Sequence, residues 1–204
     1  MGWYKEFSAK RSGGDLEGNI MRFLGYSAVF AALFLCFAPQ AKAASAYRDY
    51  AEQVTQQPPE GVSVRPDLEA TLDGLAQQAR AGKNRPLVVS TFLKTAARAQ
   101  AIDMVLGDFV GHTSLKGYSF RARFAAFAED PDQFPARGEN AARERSGGPA
   151  GSAKAKKLFQ QWLDSGAHRR NLMNRSYNRV STGVVQKGDH LYAVQMFWTE
   201  REEQ

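Results

Sequence analysis

The run Ser181-Thr182-Gly183-Val184-Val185-Gln186-Lys187-Gly188-Asp189-His190-Leu191-Tyr192-Ala193-Val194-Gln195-Met196-Phe197-Trp198 decides the fold class. Both flanks are rich in β-branched and aromatic residues, and Lys187-Gly188-Asp189-His190 supplies turn chemistry between them, which is a β-hairpin signal. The chain upstream reads differently. Pro66 suits the first position of a helix, and Leu68, Leu72, Leu75, Ala76 and Ala79 recur at helical spacing until Gly82. The stripe Val89, Phe92, Leu93, Ala96, Ala97, Ala101, Met104 and Val105 predicts a second helix from about Val88 to Leu106, bracketed by Gly107 and Gly111. Residues 117–128, with Tyr118, Phe120, Arg121, Arg123, Phe124 and Phe127, suit a short amphipathic helix before Pro131 and Pro135 break the chain. Gly138-Glu139-Asn140-Ala141-Ala142 reads as a loop entering a short strand, and Ser146 to Gly151 as flexible loop. Ser152 can cap a helix striped by Ala155, Leu158, Phe159 and Trp162 and stopped by Gly166, and His168 to Met173 adds a turn of helix. Helices followed by a terminal hairpin predict an α+β domain, an antiparallel sheet covered by helices.

The N-terminal part carries a different signal. Residues 23–38, Phe23 to Ala38, form an uncharged apolar run preceded by Met21-Arg22 and followed by Ala41-Lys42-Ala43, an A-x-A cleavage pattern. The run is short for a membrane span, which needs about 20 residues. We expect a leader over residues 1–43, cleaved after Ala43, with Met21 a candidate true start; an uncut signal anchor is the alternative. Leu35 occupies the small-residue position before Cys36 and argues against a lipoprotein. Residues 44–65, with Gln56-Gln57-Pro58-Pro59 and no sustained apolar period, read as a linker or loosely packed arm, and the domain proper as residues 66–204. No stable membrane span is expected once the leader is removed, and a secreted or periplasmic location follows.

Charge and cysteine content narrow the function classes. The chain carries +6 at pH 7; beyond residue 43 there are 22 basic and 18 acidic residues, a balance of +4, mixed along the chain. That favours weak contact with anionic surfaces and lacks the clustered basic stripe of a nucleic-acid binder. The single cysteine, Cys36, lies in the leader, so a cysteine nucleophile, Cys-ligated zinc and disulfides are excluded from the domain.

Of the three histidines, His190 sits in the hairpin turn and is expected to be solvated. His112 and His168 each follow a glycine-containing segment at a helix end, where a ring can point into a cleft. No local metal-ligand spacing joins them, and a histidine at a helix terminus is often a hydrogen-bonded structural residue. Ser165 beside His168 reads as a capping serine, and Lys154, Lys156 and Lys157 as a solvated helix face. The phenylalanines of 118–127, Trp162 and Trp198 read as core.

Taken in order, His112-Thr113-Ser114-x-x-Gly117, Gly138-Glu139-Asn140-Ala141-Ala142, Trp162-x-x-Ser165-Gly166-x-His168-Arg169-x-Asn171-Leu172, Gly183-Val184 and Tyr192-x-x-Gln195-x-Phe197 resemble the bacterial, SCP-like branch of the CAP superfamily (cysteine-rich secretory proteins, antigen 5 and pathogenesis-related proteins). The segment Leu93 to Met104 is similar to its long helix, and the resemblance covers residues 68–198. It implies an α-β-α sandwich with a three-stranded antiparallel sheet and a central cleft with two histidines and acidic residues, which in some members binds a divalent metal such as zinc. His112, Glu139 and His168 match three cleft positions. The fourth, a glutamate in many eukaryotic members, falls at Ser165, a poor metal ligand; Asp164 beside it points about 100° away on a helix. The eukaryotic disulfides are absent. Two imidazoles and a carboxylate can make an open zinc site, or the carboxylate can act as a general base, or the three can buttress one another. Three functions stay open: a module whose cleft binds a small ligand, lipid or glycan, a metal-dependent hydrolase of cell-wall or extracellular substrates, and a structural protein.

Overall fold

The computed structural model describes residues 42–201. The leader and Cys36 lie outside the described residues. Among the described residues no helix is long and apolar enough to cross a membrane.

The first element is a surprise. Residues 42–56 form helix α1, although the sequence reading made residues 44–65 a linker. Tyr47 and Ala51 on this helix are fully buried, with Tyr50 and Val54 packed beside them. Tyr47 stacks at a tilt on Tyr118, ring centroids 5.0 Å apart, and meets Phe127 edge-on at 6.4 Å. The rest of the supposed linker holds strand β1, Val62–Val64. Helix α2 spans Pro66–Arg80 with Pro66 at its start, and buries Leu68, Leu72 and Ala76 as the stripe requires. Val88–Val89 leaves the expected second helix and forms strand β2; helix α3 proper is Lys94–Leu106. Helix α4 is Phe120–Ala125. The segment read as a loop into a short strand is an eight-residue strand, β3, Arg137–Glu144. Helices α5, Ser152–Asp164, and α6, Gly166–Leu172, precede the hairpin of β4, Arg179–Lys187, and β5, His190–Trp198.

The sheet has five strands where three were expected. Its order is β1-β4-β5-β3, and β2 also pairs with β4, in parallel, at Val88 to Arg179 and Val89 to Val180. The three long strands β3, β4 and β5 are mutually antiparallel, so the mostly antiparallel α-β-α architecture holds. The two additions are three and two residues long, too short to show an alternating pattern.

Strand alternation sorts the core into two layers. Tyr192, Val194, Met196 and Trp198 of β5 pack with α1, α3 and α4 on one face. Leu191, Ala193 and Phe197 pack with α2, α5 and Leu172 of α6 on the other. Both faces are covered, so β5 is apolar nearly throughout. Gly183 permits the closest approach: a Cβ there would strike the backbone of Ala97 and Arg98 in α3.

Buried polar groups tie the layers together. Glu69 accepts from Arg98 Nε and Nη2, both at 2.7 Å, and from the Val184 N–H at 3.3 Å. Arg80, fully buried on α2, donates to the carbonyls of Leu172 at 2.7 Å, Asn174 at 3.0 Å and Tyr177 at 3.3 Å, and so fastens the chain that leaves α6. Lys154 is a further departure. It is buried, not part of a solvated face, and its Nζ donates to the Asp189 carbonyl in the β4–β5 turn.

Candidate functional site

His112 stands in the loop after α3. Gln100 Nε2 donates to the Gly111 carbonyl at 2.8 Å, which tacks this loop back onto the helix. Beyond it a tight turn closes with a bridge between Thr113 and Ser119, and Gly117 takes the left-handed backbone (φ 83°) that the turn needs. The Ser119 side chain then caps α4 by accepting from the Ala122 N–H at 3.3 Å. Helix α4 carries Arg123, which is fully buried.

Arg123 faces Glu139 of β3, whose side chain is 1% exposed. Its Nη2 donates to both Glu139 oxygens at 2.9 Å and to the His112 carbonyl at 3.1 Å. The His112 ring completes the group, its Nδ1 lying 2.8 Å from Glu139 Oε1, while the ring itself is 54% exposed. The hydrogen bond to Glu139 holds the His112 pKa above the usual imidazole value. Behind Arg123 lies the fully buried Tyr47 ring of α1, whose hydroxyl feels the Arg123 charge directly. Next to these, Tyr50 donates to Asp103, whose carboxyl burial pushes upward.

The other side of the cleft comes from α5 and α6. Ser165 caps α6, its hydroxyl accepting from the His168 N–H at 3.5 Å, as the sequence reading expected of it. Asn140 Nδ2 donates to the His168 carbonyl at 3.1 Å, and Asn171 Nδ2 donates to the Glu139 carbonyl at 3.0 Å and to Asn140 Oδ1 at 3.1 Å. The Gly138-Glu139-Asn140 and His168-x-x-Asn171 motifs are therefore two halves of one joint. Gly138 has no room for a side chain, because a Cβ would meet the Tyr177 hydroxyl and, at 3.2 Å, Asn171 Oδ1. The His168 ring is half-buried and makes no hydrogen bond within the described residues. Burial, and then the nearby charge of His112, lower its pKa.

Between these sides lies an open cleft of about 410 Å³, lined by Val110, Ala141, Ala142, Arg143, Gln161, Ser165 and His168. Two of the four expected cleft residues, His168 and Ser165, line it. Glu139 and His112, bonded to each other, are not among its lining residues. Sequence reasoning missed Arg123, which it treated as part of an amphipathic face, and gave Arg143, Gln161 and Val110 no role.

The residues do not fit the three-ligand zinc site that the resemblance implies. Both Glu139 oxygens are taken by Arg123 and one also by His112, and the Ser165 hydroxyl caps a helix. Among the described residues no group of three or more His, Cys, Asp or Glu is arranged to hold a metal ion.

Residues 45–199 match the model of the family described as CAP, the cysteine-rich secretory protein family. The chain belongs to this family. The match begins at residue 45, so α1 is part of the family domain. An outer surface protein from Borrelia burgdorferi superposes with a TM-score of 0.57 at 16% identity, over 68% of this chain and 98% of that one. An extracellular protein containing a SCP domain from Bacillus anthracis superposes with a TM-score of 0.51 at 21% identity, over 68% of this chain and 45% of that one. At these identities the likeness is one of fold, and the chain spans less than half of the Bacillus protein. No curated protein matches the sequence.

Proposed function

We propose that this cysteine-rich secretory protein family member is an exported binding module whose cleft holds a small ligand, lipid or glycan. The observation that carries the reading is the His168 ring: it borders a cleft of about 410 Å³ and has no hydrogen-bond partner among the described residues. Concave sites that combine apolar walls with a few convergent polar groups are where small molecules bind, and Val110 and Ala141 supply the walls here beside Arg143, Gln161 and Ser165. Export is supported by the leader signal in residues 1–43 and by the surface and extracellular descriptions of the two similar structures. The donor set favours binding over metal-assisted hydrolysis, since the one carboxylate beside the histidines is already bonded to Arg123.

The test is native mass spectrometry of protein purified from the producing cells, followed by NMR of the histidine rings during titration with the released molecules and with a panel of lipids and glycans. We expect a retained species whose addition shifts the His168 signals at least several times more than those of His112. Protein free of any adduct, with His168 unmoved by every member of the panel, would overturn the reading.

A further inference from the structure

We propose that the cleft receives an extended acidic peptide, which adds as a further strand to the free edge of β3 opposite Ala141 and Arg143. The inference rests on the cleft being a binding site and replaces a general ligand with a particular chemistry.

The backbone supplies the first argument. In an antiparallel pair, residues alternate between those that exchange hydrogen bonds with the partner strand and those whose N–H and C=O point away. The Ala136 carbonyl accepts from the Thr199 N–H at 2.9 Å, on the same register line as Gly138 with Phe197 and Asn140 with Gln195. The even-numbered residues of β3 therefore face β5, and Glu139, Ala141 and Arg143 face away. The Glu139 carbonyl does so visibly, since Asn171 Nδ2 reaches it from the far side at 3.0 Å. Ala141 and Arg143 have no such partner for their outward N–H and C=O among the described residues. Ala141 is only 2% exposed, and buried backbone groups of this kind are nearly always paired.

Those four groups lie along the cleft, which Ala141, Ala142 and Arg143 all line. They repeat every two residues, about 7 Å, the spacing of an extended chain. An extended peptide offers the complementary alternation, as in strand addition to an exposed sheet edge; an acyl chain offers no donors or acceptors at all. Asn171 closes the edge at one end. At the other, Glu144 turns to accept from the Ser146 N–H at 2.6 Å and from Gln161 at 2.7 Å. The open stretch thus suits a short segment.

Charge chooses its character. Among the described residues Arg143 is the one formally charged side chain on the cleft wall, and no carboxylate lines it. Arg143 and Arg145 share the single carboxylate of Asp108, which leaves positive charge in excess. A carboxylate on the incoming segment completes that pairing.

The experiment selects random octapeptides displayed against the immobilised full chain, then assays each selected peptide by calorimetry and by amide hydrogen exchange of the protein. We expect enrichment of acidic, β-branched sequences, at least tenfold slower exchange at Ala141 and Arg143, and at least tenfold weaker binding when alternate peptide amides are N-methylated. Arg143→Pro removes one outward N–H without touching the β3–β5 ladder. It should abolish binding, while Arg143→Ala keeps the N–H and loses only the charge-dependent part. Should Arg143→Pro fail to fold, the N-methyl series on wild type still decides. Binding indifferent to N-methylation, or no enrichment at all, overturns the proposal. If small molecules still shift His168 in that case, the cleft remains a binding site and only strand addition falls; if nothing shifts it, the cleft reading falls as well.

Discussion

The two histidines of the cleft are held in opposite ways. His112 is more than half exposed, yet its ring is fixed through Glu139 to a fully buried arginine. His168 is more buried but fixed only through its backbone, by Ser165 below and Asn140 beside it. The environments push their protonation apart, His112 upward by the Glu139 hydrogen bond and His168 downward by burial and by His112. Exposure is thus a poor guide to freedom in this molecule. The exposed ring belongs to a structural post, and the more buried one makes no hydrogen bond among the described residues.

The largest test breaks the post. Arg123→Met leaves the Glu139 carboxylate buried with only His112 to meet it, and stranding one member of a buried ion pair costs about 3–5 kcal/mol. Urea unfolding should register the loss, and His112 should lose its distinct ring signals as the post loosens. A cost below about 1 kcal/mol would mean that Glu139 has another way to be solvated.

A smaller effect separates the rings themselves. In an NMR titration His112 should lose its proton at a higher pH than a free imidazole, and His168 at a lower one. The signs for stability follow. Protonated His112 supports the fold below the unfolded histidine value, and that support fades as pH rises through its raised folded value. For His168 the folded state resists protonation, so stability falls as pH drops below about 6.5. Glu139→Gln should bring the two titrations toward each other. If their separation is unchanged in that variant, Glu139 is not the cause of the His112 shift.

The smallest effect is at Ser165. Its cap on α6 is long, 3.5 Å, so Ser165→Ala should cost no more than about 0.5–1 kcal/mol in thermal or urea melts. The His168 titration should shift while that of His112 stays put. A shift in both would show that the two sides of the cleft move as one.

The apolar periodicity made much of the fold legible. The stripes of α2 and α5 and the terminal hairpin appear where the residue pattern puts them, because two packed layers demand apolar faces at regular intervals. Where polarity or proximity to proline interfered, the reading failed for physical reasons. Tyr47, Tyr50, Ala51 and Val54 do fall at helical spacing, but Gln56-Gln57-Pro58-Pro59 just beyond them masks a helix that buries two residues completely. In β3, Glu139 and Asn140 look like loop residues; they lie in a buried strand because Arg123 and Asn171, distant in sequence, satisfy them. Val88-Val89 joins the sheet because the N–H groups of Val88 and Ser90 find acceptors in the carbonyls of Asn178 and Val180, which local pattern cannot reveal. The site was half visible. The ordered motifs named His112, Glu139, Ser165 and His168, of which Ser165 and His168 line the cleft, but Arg123, which takes up the Glu139 carboxylate as an ion-pair partner, carried no signal of its own.

Arg80 has a consequence for where this domain can fold. Its guanidinium joins one helix to three carbonyls 92 to 97 residues further along the chain, a long-range closure of the sort that extracellular proteins often make with sulfur. Residues 42–201 contain no cysteine. A staple built from hydrogen bonds forms without an oxidant and survives a reductant, so the domain can reach the same folded state in an oxidising or a reducing compartment, with no isomerase to sort its cross-links.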